Sequence, residues 1–278
     1  MGDSTSRRAS MTLYALLNST THSFPSNSTN HSTTHPTVDE LDDKYESDIN
    51  KEAAAAHSHT ETCNIKKFQV GAYTPNMCRP MPASGVGYVM VVHHISCTNQ
   101  IQWMVKLHEE EKALAIDLLQ PNLWIVSLGN WEIRFPERCN HHEKNSTLEE
   151  RIHSTIDSLK SLQRTTNVTI VWRTGNYLPG DPNSTDAWTV RNMNQQVIQR
   201  IQMHRANDTR PVNHPRLTVV DWGGAIEPRS HGDSRINGDM QAHMGVEPRV
   251  TLIQMLTNHL FDVGYFSTRI RTTVPLVT

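Results

Sequence analysis

The sequence predicts a single α/β domain in three layers, with a mainly parallel sheet covered by helices on both faces. From Lys67 onward, short apolar runs alternate with longer amphipathic segments, the pattern of βα units around a parallel sheet. The chain has 278 residues and 36% hydrophobic content, which is enough for one core of ordinary size.

The elements follow in chain order. Gly2-Asp3-Ser4 is followed at once by residues 5–17, where Met11, Leu13, Leu16 and Leu17 have helical spacing. Residues 18–62 are dominated by Ser, Thr, His, Asn and Asp, and their scarce apolar side chains do not offset the entropy of ordering, so a disordered insertion is expected. The histidines in this stretch have no regular metal-ligand spacing. Strands are predicted at 68–73, 87–93, 123–128, 168–172 and 217–221. Helices are predicted at 109–119, 146–162, 186–205 and 247–261, the second opening on Ser146-Thr147-Leu148-Glu149, which reads as a capping box.

Lys and Arg number 26 against 28 Asp and Glu, so the overall charge draws the chain to neither nucleic acid nor an anionic membrane. No apolar run approaches the ~18 to 20 residues that cross a bilayer. Asn-x-Ser/Thr sequons at Asn18, Asn27, Asn30, Asn145, Asn167, Asn183 and Asn207 point to a secretory lumen. The 4 cysteines, Cys63, Cys78, Cys97 and Cys139, fit either two disulfides or reduced core thiols. His141-His142 beside Cys139 lacks a second ligand pair, and no metal is expected there. The tryptophans lie mostly within or beside apolar runs and are expected to pack in the core.

In open parallel sheets, ligands bind outside the carboxyl ends of the strands, so chemistry is sought in the loops that follow them. Ser4 opens a helical segment, where the positive end of the helix dipole stabilises developing negative charge. Leu128-Gly129-Asn130-Trp131 offers a glycine for close backbone approach and an amide donor for an oxyanion. Arg173-Thr174-Gly175-Asn176 offers a similar pair, with Asn176 as the alternative donor. In Gly238-Asp239-Met240-Gln241-Ala242-His243 the carboxylate and the imidazole are four residues apart, so they share a helix face. A serine hydroxyl needs such a base, and the base needs a carboxylate to fix its tautomer.

In this order, the blocks Gly2-Asp3-Ser4, Leu128-Gly129-Asn130-Trp131, Val171-Trp172-Arg173-Thr174 and Asp239 with His243 resemble the SGNH (GDSL-like) hydrolases, more closely their PC-esterase and trichome-birefringence-like branch. The resemblance implies a flavodoxin-like three-layer fold and an acyl-serine intermediate, with Ser4 as nucleophile, His243 as base and Asp239 as orienter. It places the oxyanion donors at the Ser4 amide, Gly129 and Asn130. The polar loop around Pro228 to Ser234 reads as substrate-facing, with Arg229 and Ser234 flanking the site, and Arg173 is expected to face substrate as well. The chain is expected to act without metal or organic cofactor, as a monomer, on an O-acylated carbohydrate or small ester.

The chain departs from the family in three ways. Three residues separate Asp239 from His243 where the family has two, which keeps Asp233 open as the partner. The strict Gly-x-Asn-Asp block is missing, and a second Gly-Asp-Ser stands at Gly232-Asp233-Ser234. The strand expected to end at Gly2 would fall before Met1, so the chain reads as a fragment with that strand, and any signal or anchor, upstream. A catalytically inactive glycan- or partner-binding domain and a truncated non-functional product are the alternative functions.

Overall fold

A computed structural model describes residues 77–81, 88–92, 97–113, 123–128, 131–134, 136–139, 146–166, 168–175, 185–210, 216–227 and 246–265. The expected insertion at 18–62 and the expected strand at 68–73 lie outside the described residues. The described residues fall into two compact units: one holds 77–81, 88–92 and 246–253, the other 97–227 with 254–265.

In the first unit, β1 (Met77–Met81) and β2 (Tyr88–Val92) form an antiparallel pair in the register Met77↔Val92 to Met81↔Tyr88. This corrects the reading of 87–93 as a strand of the parallel sheet. The short 82–87 connection allows a hairpin, whereas a parallel partner needs a crossover of about a dozen residues or more.

The second unit is a three-layer α/β/α arrangement. Its sheet contains β3 (Leu123–Val126), β4 (Thr169–Arg173) and β5 (Leu217–Val220), parallel and in sequence order, with Leu123 opposite Thr169 and Ile170 opposite Leu217. Every residue of β4 is buried, as a central strand covered on both faces requires.

The helices follow from the buried stripes they carry. In α1 (Thr98–Ala113) the stripe is Ile101, Met104, Val105 and His108, at helical spacing. This helix begins well before the expected 109–119. Its start is capped by Gln100, whose side chain accepts from the Cys97 amide at 3.2 Å, and a histidine in the apolar row blurs the periodicity. After β3 come the short α2 (Trp131–Arg134) and a 3-10 turn (Pro136–Cys139).

The helix α3 (Leu148–Thr166) buries Ile152, Ile156, Leu159 and Leu162 completely, each contributing about 2 kcal/mol by removal from water. Its capping box lies one residue later than expected, at Thr147 and Glu150. The Thr147 amide donates to Glu150 at 2.7 Å, and the Glu150 amide donates to the Thr147 hydroxyl at 3.2 Å. In α4 (Thr185–Ala206) the stripe is Ala187, Val190, Asn194, Val197 and Ile201, with Met193 beside it.

Strand alternation sorts these helices into layers. On one face, His108 of α1 meets Trp124 edge to face with ring centroids 5.6 Å apart. Gln102 of α1 also donates to Ser154 and Thr155 of α3. On the other face, Val171 and Val220 form a cluster with Leu260 of α6 (Val246–Asp262), joined by Leu123, Met255, Leu256 and Tyr265. His259 in the same helix lies 2.8 Å from the Thr218 hydroxyl of β5.

Trp124, Trp172 and Trp222 are buried, as expected of core tryptophans, but Trp103 and Trp188 are exposed. Among the described residues, no helix is long and apolar enough to cross a membrane.

Candidate active site at the strand ends

The carboxyl ends of β3, β4 and β5 lead into Ser127-Leu128, Thr174-Gly175 and Asp221-Trp222-Gly223, and polar contacts join all three. Parallel strands in sequence order bring these loops side by side, which is why residues about fifty positions apart meet here.

Thr174, fully buried, is the hub. Its amide donates to the Val220 carbonyl at 3.1 Å, extending the β4–β5 pairing by one bond. Its hydroxyl donates to the Asp221 carboxylate at 2.9 Å and accepts from the Gly223 amide at 2.8 Å. Asp221 also caps α5 (Trp222–Ile226), accepting from the Gly224 amide at 3.1 Å. Its carboxylate thus fixes a helix start and a neighbouring strand end together, and it remains exposed to solvent.

Asn194 reaches across from α4 and closes a two-bond ring with Gly175. The Gly175 amide donates to its side-chain oxygen at 2.9 Å, and its side-chain nitrogen donates to the Gly175 carbonyl at 2.9 Å. A Cβ on Gly175 would lie 3.2 Å from the Met193 methyl, and one on Gly223 would stand 2.7 Å from the Asn194 nitrogen and inside contact distance of the Gly175 carbonyl. The two glycines therefore permit a backbone approach that a side chain at Gly223 blocks.

Arg173, expected to face substrate, is 1% exposed. Its guanidinium donates to the Ser127 hydroxyl and lies over the Trp222 ring, 4.8 Å from the centroid. These contacts tie the ends of β3, β4 and β5 together.

The loop after β3 is anchored from behind. Cys97, preceding α1, and Cys139, in the 3-10 turn, form a disulfide with Cα atoms 5.5 Å apart. Between them, Glu132 of α2 is buried and accepts from the Thr98 hydroxyl at 2.7 Å and from Arg151 Nε at 3.1 Å. The two sulfurs and the Glu132 carboxylate lie within 4.8 Å of one another, but the sulfurs are bonded to each other and so are not metal ligands in this state.

Ser4, Gly129, Asn130, Asn176, Arg229, Ser234, Asp239 and His243 lie outside the described residues, as do Asp233, His141 and His142. In the loop after β4, the Gly175 amide is occupied by the Asn194 side chain. Sequence reasoning missed Asn194, Asp221 and Ser127. The signal for Asn194 is a lone amide in the buried row Ala187, Val190, Asn194, Val197 and Ile201.

Fold and site together define a three-layer α/β protein whose polar cluster sits at the carboxyl ends of a parallel sheet. The sequence matches no protein-family model and no curated protein.

Proposed function

We propose that this chain is a serine-dependent O-acyl esterase or acyltransferase of the SGNH class, acting as a monomer on an O-acetylated glycan or related ester. One observation carries the reading: the loops after β3 and β4, which hold two of the resembling sequence blocks, meet at the carboxyl ends of a parallel sheet. Gly129 and Asn130 directly follow Leu128 in the chain, and the Leu128 carbonyl would stand 3.6 Å from a Cβ on Gly175. The Cys97–Cys139 disulfide supports a secretory or extracellular setting, since such bonds persist in oxidising compartments.

In this mechanism the Ser4 hydroxyl attacks the acyl carbonyl while His243, oriented by Asp239, takes its proton. The oxyanion is stabilised by the amides of Ser4 and Gly129 and by the side chain of Asn130. The alcohol leaves with the proton from His243, and water or a sugar hydroxyl then takes the acyl group from Ser4. Arg173, Thr174 and Asn194 hold the loops in place, and Arg229 and Ser234 flank the substrate. The chemistry needs no metal or organic cofactor.

Ser4→Ala and His243→Ala should each reduce hydrolysis of a small acetyl ester by about 10^6-fold while leaving the circular dichroism unchanged. Turnover unaltered in both variants refutes the triad. Glycan binding without labelling by a serine-directed phosphonate would instead identify a non-catalytic binding domain.

A further inference from the structure

We propose that Asn207 is an N-glycosylation acceptor, modified by an oligosaccharide transferred from a lipid pyrophosphate donor. The inference rests on the lumenal setting of the reading above and is independent of its triad. Asn207 lies in the turn that ends α4, its amide donating to the Met203 carbonyl at 3.3 Å, and its side chain is exposed. Thr209, the third residue of the sequon, is exposed as well.

Between them, Asp208 is anchored in the opposite direction. Its carboxylate accepts from Lys160 at 2.9 Å and from Arg210 Nε and Nη2 at 2.8 and 2.6 Å, and only 5% of its side chain is exposed. Arg210 also donates to the buried Gln163 at 2.7 Å, so the anchor reaches into α3. A sequon whose middle side chain is fixed inward presents its acceptor amide and its hydroxyl to solvent. By contrast, in Asn167-Val168-Thr169 the second and third residues are buried at the start of β4.

In the transfer, the Asn207 amide nitrogen bonds to the anomeric carbon of the donor sugar. The carbon–oxygen bond to phosphate breaks, lipid pyrophosphate leaves with the electron pair, and the amide proton passes to a base. The extended conformation needed for transfer is available to the chain before it folds. The folded protein then leaves the modified amide outside the core, with the glycan projecting beyond the end of α4.

The test is secretion of the full chain from eukaryotic cells behind a supplied leader, with a reporter sequon appended at its carboxyl end. In molecules whose reporter is glycosylated, peptide mass spectrometry after amidase release should show Asn207 converted to Asp. Thr209→Ala should abolish the conversion, Thr209→Ser should retain it, and both should keep parental acetyl-ester turnover. Release should also proceed on the folded protein. An unmodified Asn207 in reporter-glycosylated molecules overturns the proposal and leaves the triad unaffected, whereas loss of turnover in Ser4→Ala tests the triad alone.

Discussion

Substituting Gly223 by alanine tests the strand-end cluster most directly. The added Cβ would fall inside contact distance of the Gly175 carbonyl, 2.7 Å from the Asn194 nitrogen and 3.2 Å from the Thr174 hydroxyl. The first obstacle is backbone, and the second belongs to a side chain already held by two hydrogen bonds, so neither swings aside cheaply. Overpacking of this kind costs about 1–3 kcal/mol, and losing one Asn194–Gly175 bond adds about 1 kcal/mol, giving roughly 3 kcal/mol in all. For a domain of this size that is a fall in Tm of roughly 6–12 °C.

Gly224→Ala is the control. Its Cβ crowds only the Asp221 carboxylate, 3.0 Å from Cγ, and that exposed side chain can rotate away at the cost of its bonds from the Gly224 amide and the Thr174 hydroxyl, about 2 kcal/mol. Thermal unfolding followed by near-ultraviolet circular dichroism, to which the buried Trp172 and Trp222 contribute, separates the two variants. Equal melting of Gly223→Ala and Gly224→Ala would refute the close approach of the three loops.

Three further outcomes follow from the same contacts. Asn194→Ala leaves the buried amide and carbonyl of Gly175 without their partner and should cost roughly 2–4 kcal/mol in chemical denaturation, whereas Asn194→Asp should keep the bond from the Gly175 amide. Reducing the Cys97–Cys139 bridge, which spans 42 positions, should lower stability by up to about 4 kcal/mol on the chain-entropy estimate, with no such loss in a Cys97→Ser/Cys139→Ser double variant treated the same way.

Burial holds the His259 imidazole below its ordinary pKa, with nearby Arg205 adding to the effect and Asp262 opposing it. The unfolded chain therefore binds a proton that the folded one resists. Stability should fall as pH drops below about 6.5 and level off below the folded value. His259→Gln should flatten that segment of the stability–pH curve, and an unchanged slope would show that His259 does not contribute it.

The parallel sheet was legible because β4 has the apolar centre Ile170-Val171-Trp172, and Ile152, Ile156, Leu159 and Leu162 repeat at helical spacing. The start of α1 was hidden because polar Thr98, Asn99 and Gln100 form its first turn, with Thr98 and Asn99 bonded to distant Glu132 and Cys139. The hairpin was misread because a β-rich run does not encode the direction of its partner, which the connection length decides. At the site, the sequence pointed to the loops after β3 and β4 from strand ends alone. It did not reveal that Thr174 meets Asp221 or that Asn194 meets Gly175, since those contacts depend on which strands are neighbours and how α4 is rotated.

The order of the sheet also bears on how this unit is made. Because β3, β4 and β5 are neighbours in the order they emerge, each new strand can dock on the edge left by its predecessor once the intervening helices have formed. Synthesis can thus build the sheet outward, closing one modest loop at a time, with no waiting for a distant partner. A stall in translation after Trp222 should therefore leave β3 and β4 clear of the ribosome and already zipped together, while a stall before Thr169 should leave β3 unpaired with β4.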